Sequence, residues 1–227
     1  MSVASVVAVS TLGAILGLDT VSFPQAMLSR PIVAATVGGA FVGDAETGLL
    51  VGATLELIAL ETLPIGASRY PEWGSAAVVG GALAAAFPES AAGALPVAVL
   101  AAIATAWVGG WTMVQLRKFN AWLAQSRRAG LDRGSARTVV GLQVTGLTAD
   151  LVRGWLVTAI ALLALHPLAT AVVHLWMLDG RYSRAAVVTV SAAVAGAAMW
   201  TTFHATVGAR RLFLGGLVVG LALLLFR

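Results

Sequence analysis

The sequence contains no cysteine, which excludes disulfides and thiolate metal sites. Charge is also scarce. Lys, Arg, Asp and Glu make up 11% of 227 residues, against about 25% in soluble globular chains. Three histidines are too few for a rich metal cluster. No Walker A sequence, HExxH or GxSxG occurs, so no common hydrolase or nucleotide-binding signature is present. What fills the chain instead is apolar: hydrophobic residues are 59% and the mean hydropathy is +0.92. Such a composition cannot coat a soluble surface with charge, and it excludes intrinsic disorder. It points to an integral membrane protein.

The net charge of +4 is concentrated. Six of the 14 basic residues lie between Arg117 and Arg137, with Asp132 the one acid among them. Nucleic-acid binding would also use such a cluster, but the apolar runs on both sides favour a cytoplasmic loop at residues 117–137. Phe119 and Trp122 beside Arg117 and Lys118 allow either an interfacial amphipathic helix or a solvated loop there. Arg181 and Arg184 suggest a second cytoplasmic turn, which a single crossing by the next run would contradict at Arg210 and Arg211. Residues 1–18 carry no charged side chain and so lack the basic start of a signal peptide; they read as part of the fold.

Three runs, Ala91–Leu116, Gly154–Leu178 and Ala185–Ala209, exceed the roughly 20 residues needed to span a bilayer as a helix. Leu212–Phe226 is shorter and is flanked by arginines able to snorkel. The front of the chain is broken differently. Pro31–Gly43, Thr47–Leu60 and Trp73–Pro88 are short apolar runs separated by Gly, Pro and isolated acids, the pattern of discontinuous or re-entrant helices. The expected fold class is therefore an all-α polytopic membrane protein with broken helices in its N-terminal half. It forms a single integral unit over 1–227, with a motif-bearing core at 29–90 and a C-terminal transmembrane part at 138–227. Gly39 and Gly43, Gly48 and Gly52, and Gly216 and Gly220 are spaced for close helix packing.

Isolated carboxylates are costly in hydrocarbon and mark substrate or ion paths. Asp44 and Glu46 flank a turn, where Asp44 is placed to cap the following helix. Glu56 lies between Leu55 and Leu57 and reads as a polar site. Glu61 and Thr62 precede Pro64, which has no N–H and should end a regular helix near Leu63. The carbonyls and amides exposed by such a break suit a sugar, and carboxylates accept strongly from hydroxyls. Arg69, Tyr70, Glu72 and Trp73 read as an interfacial loop with an aromatic belt. Asp150 and Arg153 are spaced for an ion pair on one helical face, with Gln143 a weaker neighbour. His166 before Pro167 marks a helix boundary, and no metal site is expected. Pattern alone ranks a transporter component first, a membrane scaffold second and an intramembrane enzyme third.

One ordered string is more specific than its parts: Arg30-Pro31, Gly38-Gly39-Ala-Phe-Val-Gly43-Asp44, Thr47-Gly48-Leu-Leu-Val-Gly52-Ala-Thr54-Leu55-Glu56-Leu-Ile-Ala-Leu60 and Ile65-Gly66-Ala67. It resembles the IIC membrane subunit of the mannose/sorbose family of the phosphotransferase system, over roughly residues 29–67. The resemblance implies a sugar-translocating subunit in the bacterial cytoplasmic membrane and no bound cofactor. It also implies a IID membrane partner, cytoplasmic IIA and IIB components and a trimeric assembly. The phosphohistidine of such a system is on IIB, so the resemblance gives none of the histidines here that role. Glu56 matches the acid of the family's Thr-Leu-Glu string; with Glu61, Thr62, Ile65 and Gly66 it forms the implied substrate site. Gly39, Gly43, Asp44, Gly48, Gly52 and Pro64 are the structural positions. Mannose transporters of the family read Trp-Met-Asn-Ile-Gly where this chain reads Thr62-Leu63-Pro64-Ile65-Gly66. Pro64 thus replaces a side-chain amide with a ring that has no donor. Another sugar, another small solute, or a IIC-like scaffold or sensor without transport are the alternatives.

Overall fold

A computed structural model describes residues 1–62 and 69–225. Among the described residues every regular element is a helix: α1 (Val3–Leu18), α2 (Pro31–Val42), α3 (Ala45–Ala59) continued by a 3-10 turn (Leu60–Thr62), α4 (Trp73–Ala85), α5 (Ala94–Ser126), α6 (Arg128–Asp132), α7 (Ala136–His174), α8 (Gly180–Phe203) and α9 (Ala209–Leu225). Helices α5, α7 and α8, of 33, 39 and 24 residues, are long and apolar enough to cross a membrane. The protein is an all-α, multi-pass membrane fold with a discontinuous N-terminal half, as the patterning required.

The short helices are short for identifiable reasons. Pro31 at the first position fixes the start of α2, where its missing N–H costs nothing. Gly43 ends it in a left-handed conformation at φ 113°, and its N–H and that of Asp44 return to Gly39 O. Asp44 then caps α3 by accepting from Thr47 N at 2.9 Å. At 1.5 Å per residue α2 and α3 are only about 18 and 22 Å long, against the roughly 30 Å hydrocarbon core. They pack on protein instead: α2 lies against α3 and α4, and the core joins Ala34, Ala35, Val51, Leu55, Val78 and Leu83.

Small residues bring these backbones together. A Cβ at Gly38 would sit 2.6 Å from Val78 O, and one at Gly52 would sit 2.8 Å from Ile32 Cα. Gly39 and Gly48 face each other across the α2–α3 turn. Gly43 differs from the expected packing role: open space surrounds it, and its service is the positive φ. Helix α1 joins the fold as expected, packing on α7 and α4.

The basic stretch, left open between an amphipathic helix and a solvated loop, is mostly helical, since α5 runs on to Ser126, α6 follows and α7 begins at Ala136. Three further expectations are corrected. Pro167 lies inside α7 instead of ending it. One turn on, Thr170 Oγ1 donates back to His166 O at 2.9 Å. Because α7 is continuous, Arg181 and Arg184 stand at the opposite end of it from the basic stretch, so they do not form a second turn on the same side. The spacing at Gly216 and Gly220 meets nothing within 4 Å.

Candidate substrate site

The acid singled out in α3 is held at the start of α2. Glu56 pairs with Arg30, and its other oxygen accepts from Ile32 N at 3.2 Å. Arg30 is the residue before α2 and makes no side-chain cap of its own. The Glu56 carboxylate therefore serves the exposed N–H groups of that helix and the favourable end of its dipole. Its side chain is one-fifth exposed, with 20% of its surface open. The cost of a charge among leucines is met by a cation and an amide, and the carboxylate keeps an open edge.

Beyond Glu56 the helix tightens into the 3-10 turn Leu60–Thr62. Glu61 is exposed, and Thr62 Oγ1 accepts from Trp73 Nε1 at 3.2 Å. That bond ties the end of α3 to the start of α4 across the break. Pro64, Ile65 and Gly66 lie outside the described residues. Glu56, Glu61 and Thr62 thus share one end of α3, and α8 packs against both α3 and the 3-10 turn.

The chain re-enters as a buried segment, contrary to the interfacial loop expected of Arg69, Tyr70, Glu72 and Trp73. Arg69 is exposed, but Tyr70 is buried, with the Arg117 guanidinium 5.1 Å over its ring. Glu72 is fully buried. Its backbone N–H donates to Ala106 O at 2.8 Å, and its Oε1 caps α4 by accepting from Ser75 N at 3.0 Å. Small residues make this possible: Gly109 and Gly110 of α5 admit Glu72 and the Tyr70 carbonyl where a Cβ would collide.

Glu72 belongs to a buried polar network that crosses the fold. The Asp150–Arg153 pair forms as the spacing predicted, Nε donating to Oδ1 at 2.9 Å with both side chains buried. Arg153 Nη1 reaches Thr112 Oγ1 at 3.3 Å and lies 3.9 Å from Glu72 Oε2. Ser22 donates to Asp150 from the α1–α2 connection. Asp19, also buried, orders that connection by accepting from Ala26 N at 2.6 Å and Ser29 N at 2.8 Å. Gln143 is exposed and stands apart from the pair.

Ser22, Asp19 and Glu72 were missed as site-organising residues. For Asp19 and Glu72 a signal existed, each being an isolated acid at the edge of an apolar run. The partner of Glu72 is 81 positions away, and no local pattern reports it. The histidines serve local contacts: His166 stacks on Phe87 and meets the Met1 amine, while His204 Nδ1 meets carbonyls of its own helix end. Among the described residues no group of three or more His, Cys, Asp or Glu is arranged to hold a metal.

This architecture and these motifs have known counterparts. The chain is 31% identical over 150 residues to a sorbose-specific EIIC component of the phosphotransferase system from Klebsiella pneumoniae, covering 63% of this chain and 56% of that one. It is 33% identical over 90 residues to a mannose-specific EIIC component from Escherichia coli strain K12, 34% of each chain, and 34% identical over 79 residues to a fructose permease IIC component from Bacillus subtilis. The aligned regions thus span little more than half of the sorbose relative and about a third of the mannose one. A solved membrane protein matches the fold with a TM-score of 0.75 at 20% identity, over 97% of this chain and 87% of that one. The mannose transporter ManYZ, solved in complex with microcin E492, matches with a TM-score of 0.62 at 19% identity over the same shares. The family model described as the sorbose-specific IIC component of the phosphotransferase system matches residues 3–206, and the chain belongs to that family.

Proposed function

We propose that this chain is the sugar-translocating membrane subunit of a phosphoenolpyruvate-dependent phosphotransferase system in the bacterial cytoplasmic membrane. It would move a hexose-like sugar toward a cytoplasmic IIB component for phosphorylation. The observation that carries the reading is the break after α3. Glu56, Glu61 and Thr62 gather at one end of a short helix, inside a fold in which α5, α7 and α8 are long enough to cross a membrane. Glu56, Glu61, Thr62, Ile65 and Gly66 form the proposed substrate site, where carboxylates accept from sugar hydroxyls. The phosphoryl donor is a phosphohistidine on IIB. The membrane assembly is a trimer of pairs with a IID subunit, served by soluble IIA and IIB.

A second reading keeps the fold and loses transport. It is favoured by Pro64, which removes a side-chain amide from the site, and by Arg30, which already occupies Glu56. Sugar binding to the purified Glu56→Gln protein, with its membrane partner present and a panel wider than mannose, separates the two. The substitution keeps size and an acceptor but removes charge. Affinity for the ligand falls about 5–30-fold if Glu56 accepts from the sugar, the loss of about 1–2 kcal/mol of charge-assisted bonding. Unchanged affinity removes Glu56 from binding. Lost assembly with normal binding per assembled complex assigns it to the cap of α2 alone.

A further inference from the structure

Helices α5 and α7 leave a groove of about 1130 Å³ between them, running from Ala104 to Phe119 on α5 and from Val144 to Leu165 on α7. It is open along its length and mostly apolar, and among the described residues that line it none is acidic. From Phe119 to Ala104 it extends about 22 Å along the helix, more than the roughly 15 Å of one hydrocarbon leaflet.

Three observations mark one end as a headgroup position. Lys118 is exposed two turns beyond Trp111, a groove residue, and so lies on the same face of α5. Trp122, one turn further, is 63% exposed and packs by Phe119 at the level where aromatic residues meet the membrane interface. Beyond them lie Arg127, Arg133 and Arg137, all exposed. Inside the groove wall, six residues or about 9 Å from Lys118, stands Thr112. Its partner Arg153, buried beyond nine-tenths, carries a guanidinium Nη2 with no acceptor among the described residues. Glu72 Oε2, the nearby acid oxygen, lies 3.9 Å from Nη1 of the same guanidinium, and an oxygen entering the groove would give Nη2 the acceptor that a buried donor needs.

We propose that the groove holds one anionic phospholipid. Its acyl chain lies along α5 and α7, its phosphate sits beside Lys118, and its ester carbonyls come within reach of Arg153. The spacing matches an amphiphile: cations at the mouth, a lone donor one headgroup depth below, apolar wall beyond. The inference does not depend on sugar transport, and lipid binding is read without any sugar.

The test uses the full chain in nanodiscs of phosphatidylcholine with or without phosphatidylglycerol, carrying trace spin-labelled phosphatidylglycerol or phosphatidylcholine. The motionally restricted fraction is measured. A basic residue at a membrane surface supplies about fivefold in affinity for anionic lipid. Spin-labelled phosphatidylglycerol should therefore be retained about fivefold better than phosphatidylcholine, and salt should erode that preference. Lys118→Gln, an exposed change, should abolish most of it. Ala164→Trp, also at an exposed groove position, should release both lipids. Equal restriction of the two lipids, or a preference untouched by Lys118→Gln, overturns the proposal. So does loss of the restricted lipid when a membrane partner subunit is added, which would show a protein helix to be the occupant.

Discussion

The α2–α4 region and the α8–α9 region carry the same small-residue spacing and put it to different use. In the first, a Cβ at Gly48 would sit 2.5 Å from Ala35 O, and one at Gly74 would sit 2.6 Å from Leu16 O. In the second, Gly196, Gly215, Gly216 and Gly220 meet nothing within 4 Å. Leu212, Leu217, Val218 and Leu223 are likewise exposed. Lipid tails give helices no hydrophobic reason to associate, so association rests on close van der Waals fit and polar bonds. Glycine spacing permits that approach; a facing surface completes it. The N-terminal region has both the facing surface and a buried polar network, whereas among the described residues α9 meets α8 through the edge-to-face contact of Phe213 with Trp200.

The largest expected effect comes from the network that fastens α7 to the front half. Arg153→Met leaves Asp150 and Glu72 buried without their cation, and stability in reversible detergent unfolding should fall by about 3–5 kcal/mol. An unchanged unfolding midpoint would mean the network contributes nothing to holding the halves together. Next are the close contacts. Gly38→Ala or Gly81→Ala drives a methyl into the backbone of Val78 or Ala35, an overpacking cost of about 1–3 kcal/mol by the same measurement. Asp44→Ala removes the α3 cap and should cost about 1 kcal/mol. The smallest effect belongs to α9, where Gly216→Ala should alter the isolated chain by no more than about 0.5 kcal/mol. If it is silent alone but weakens assembly with a membrane partner in co-purification, α9 is the surface that such a partner completes.

Much of this contrast was visible in the order of residues. Pro31, Gly43 and Asp44 punctuate α2 and α3 within a residue or two, because a ring without N–H, a positive φ and a capping carboxylate act through bonds to near neighbours. The i,i+3 pair of Asp150 and Arg153 was legible for the same reason. Pro167 misled because the surroundings of α7 tolerate a missing N–H that would end a helix in water. Glu72 misled because its loop neighbours, Arg69 and Trp73, look interfacial, while the glycines that bury it belong to α5.

The site divides along the same line. Glu56 was recognisable as an acid that hydrocarbon could not carry unaided, but its pairing with Arg30 and with the amide of Ile32 depends on α2 folding back across α3. By itself the sequence determined the membrane class, the long and short helices and the places where the short ones begin and end, since composition, length and capping act locally. Only the tertiary structure decided which glycines are contacts, which acids are buried and which cation answers each. Close approach and charge compensation depend on what the opposing segment presents, and that segment can lie more than a hundred residues away, as Asp150 does from Ser22, 128 positions apart.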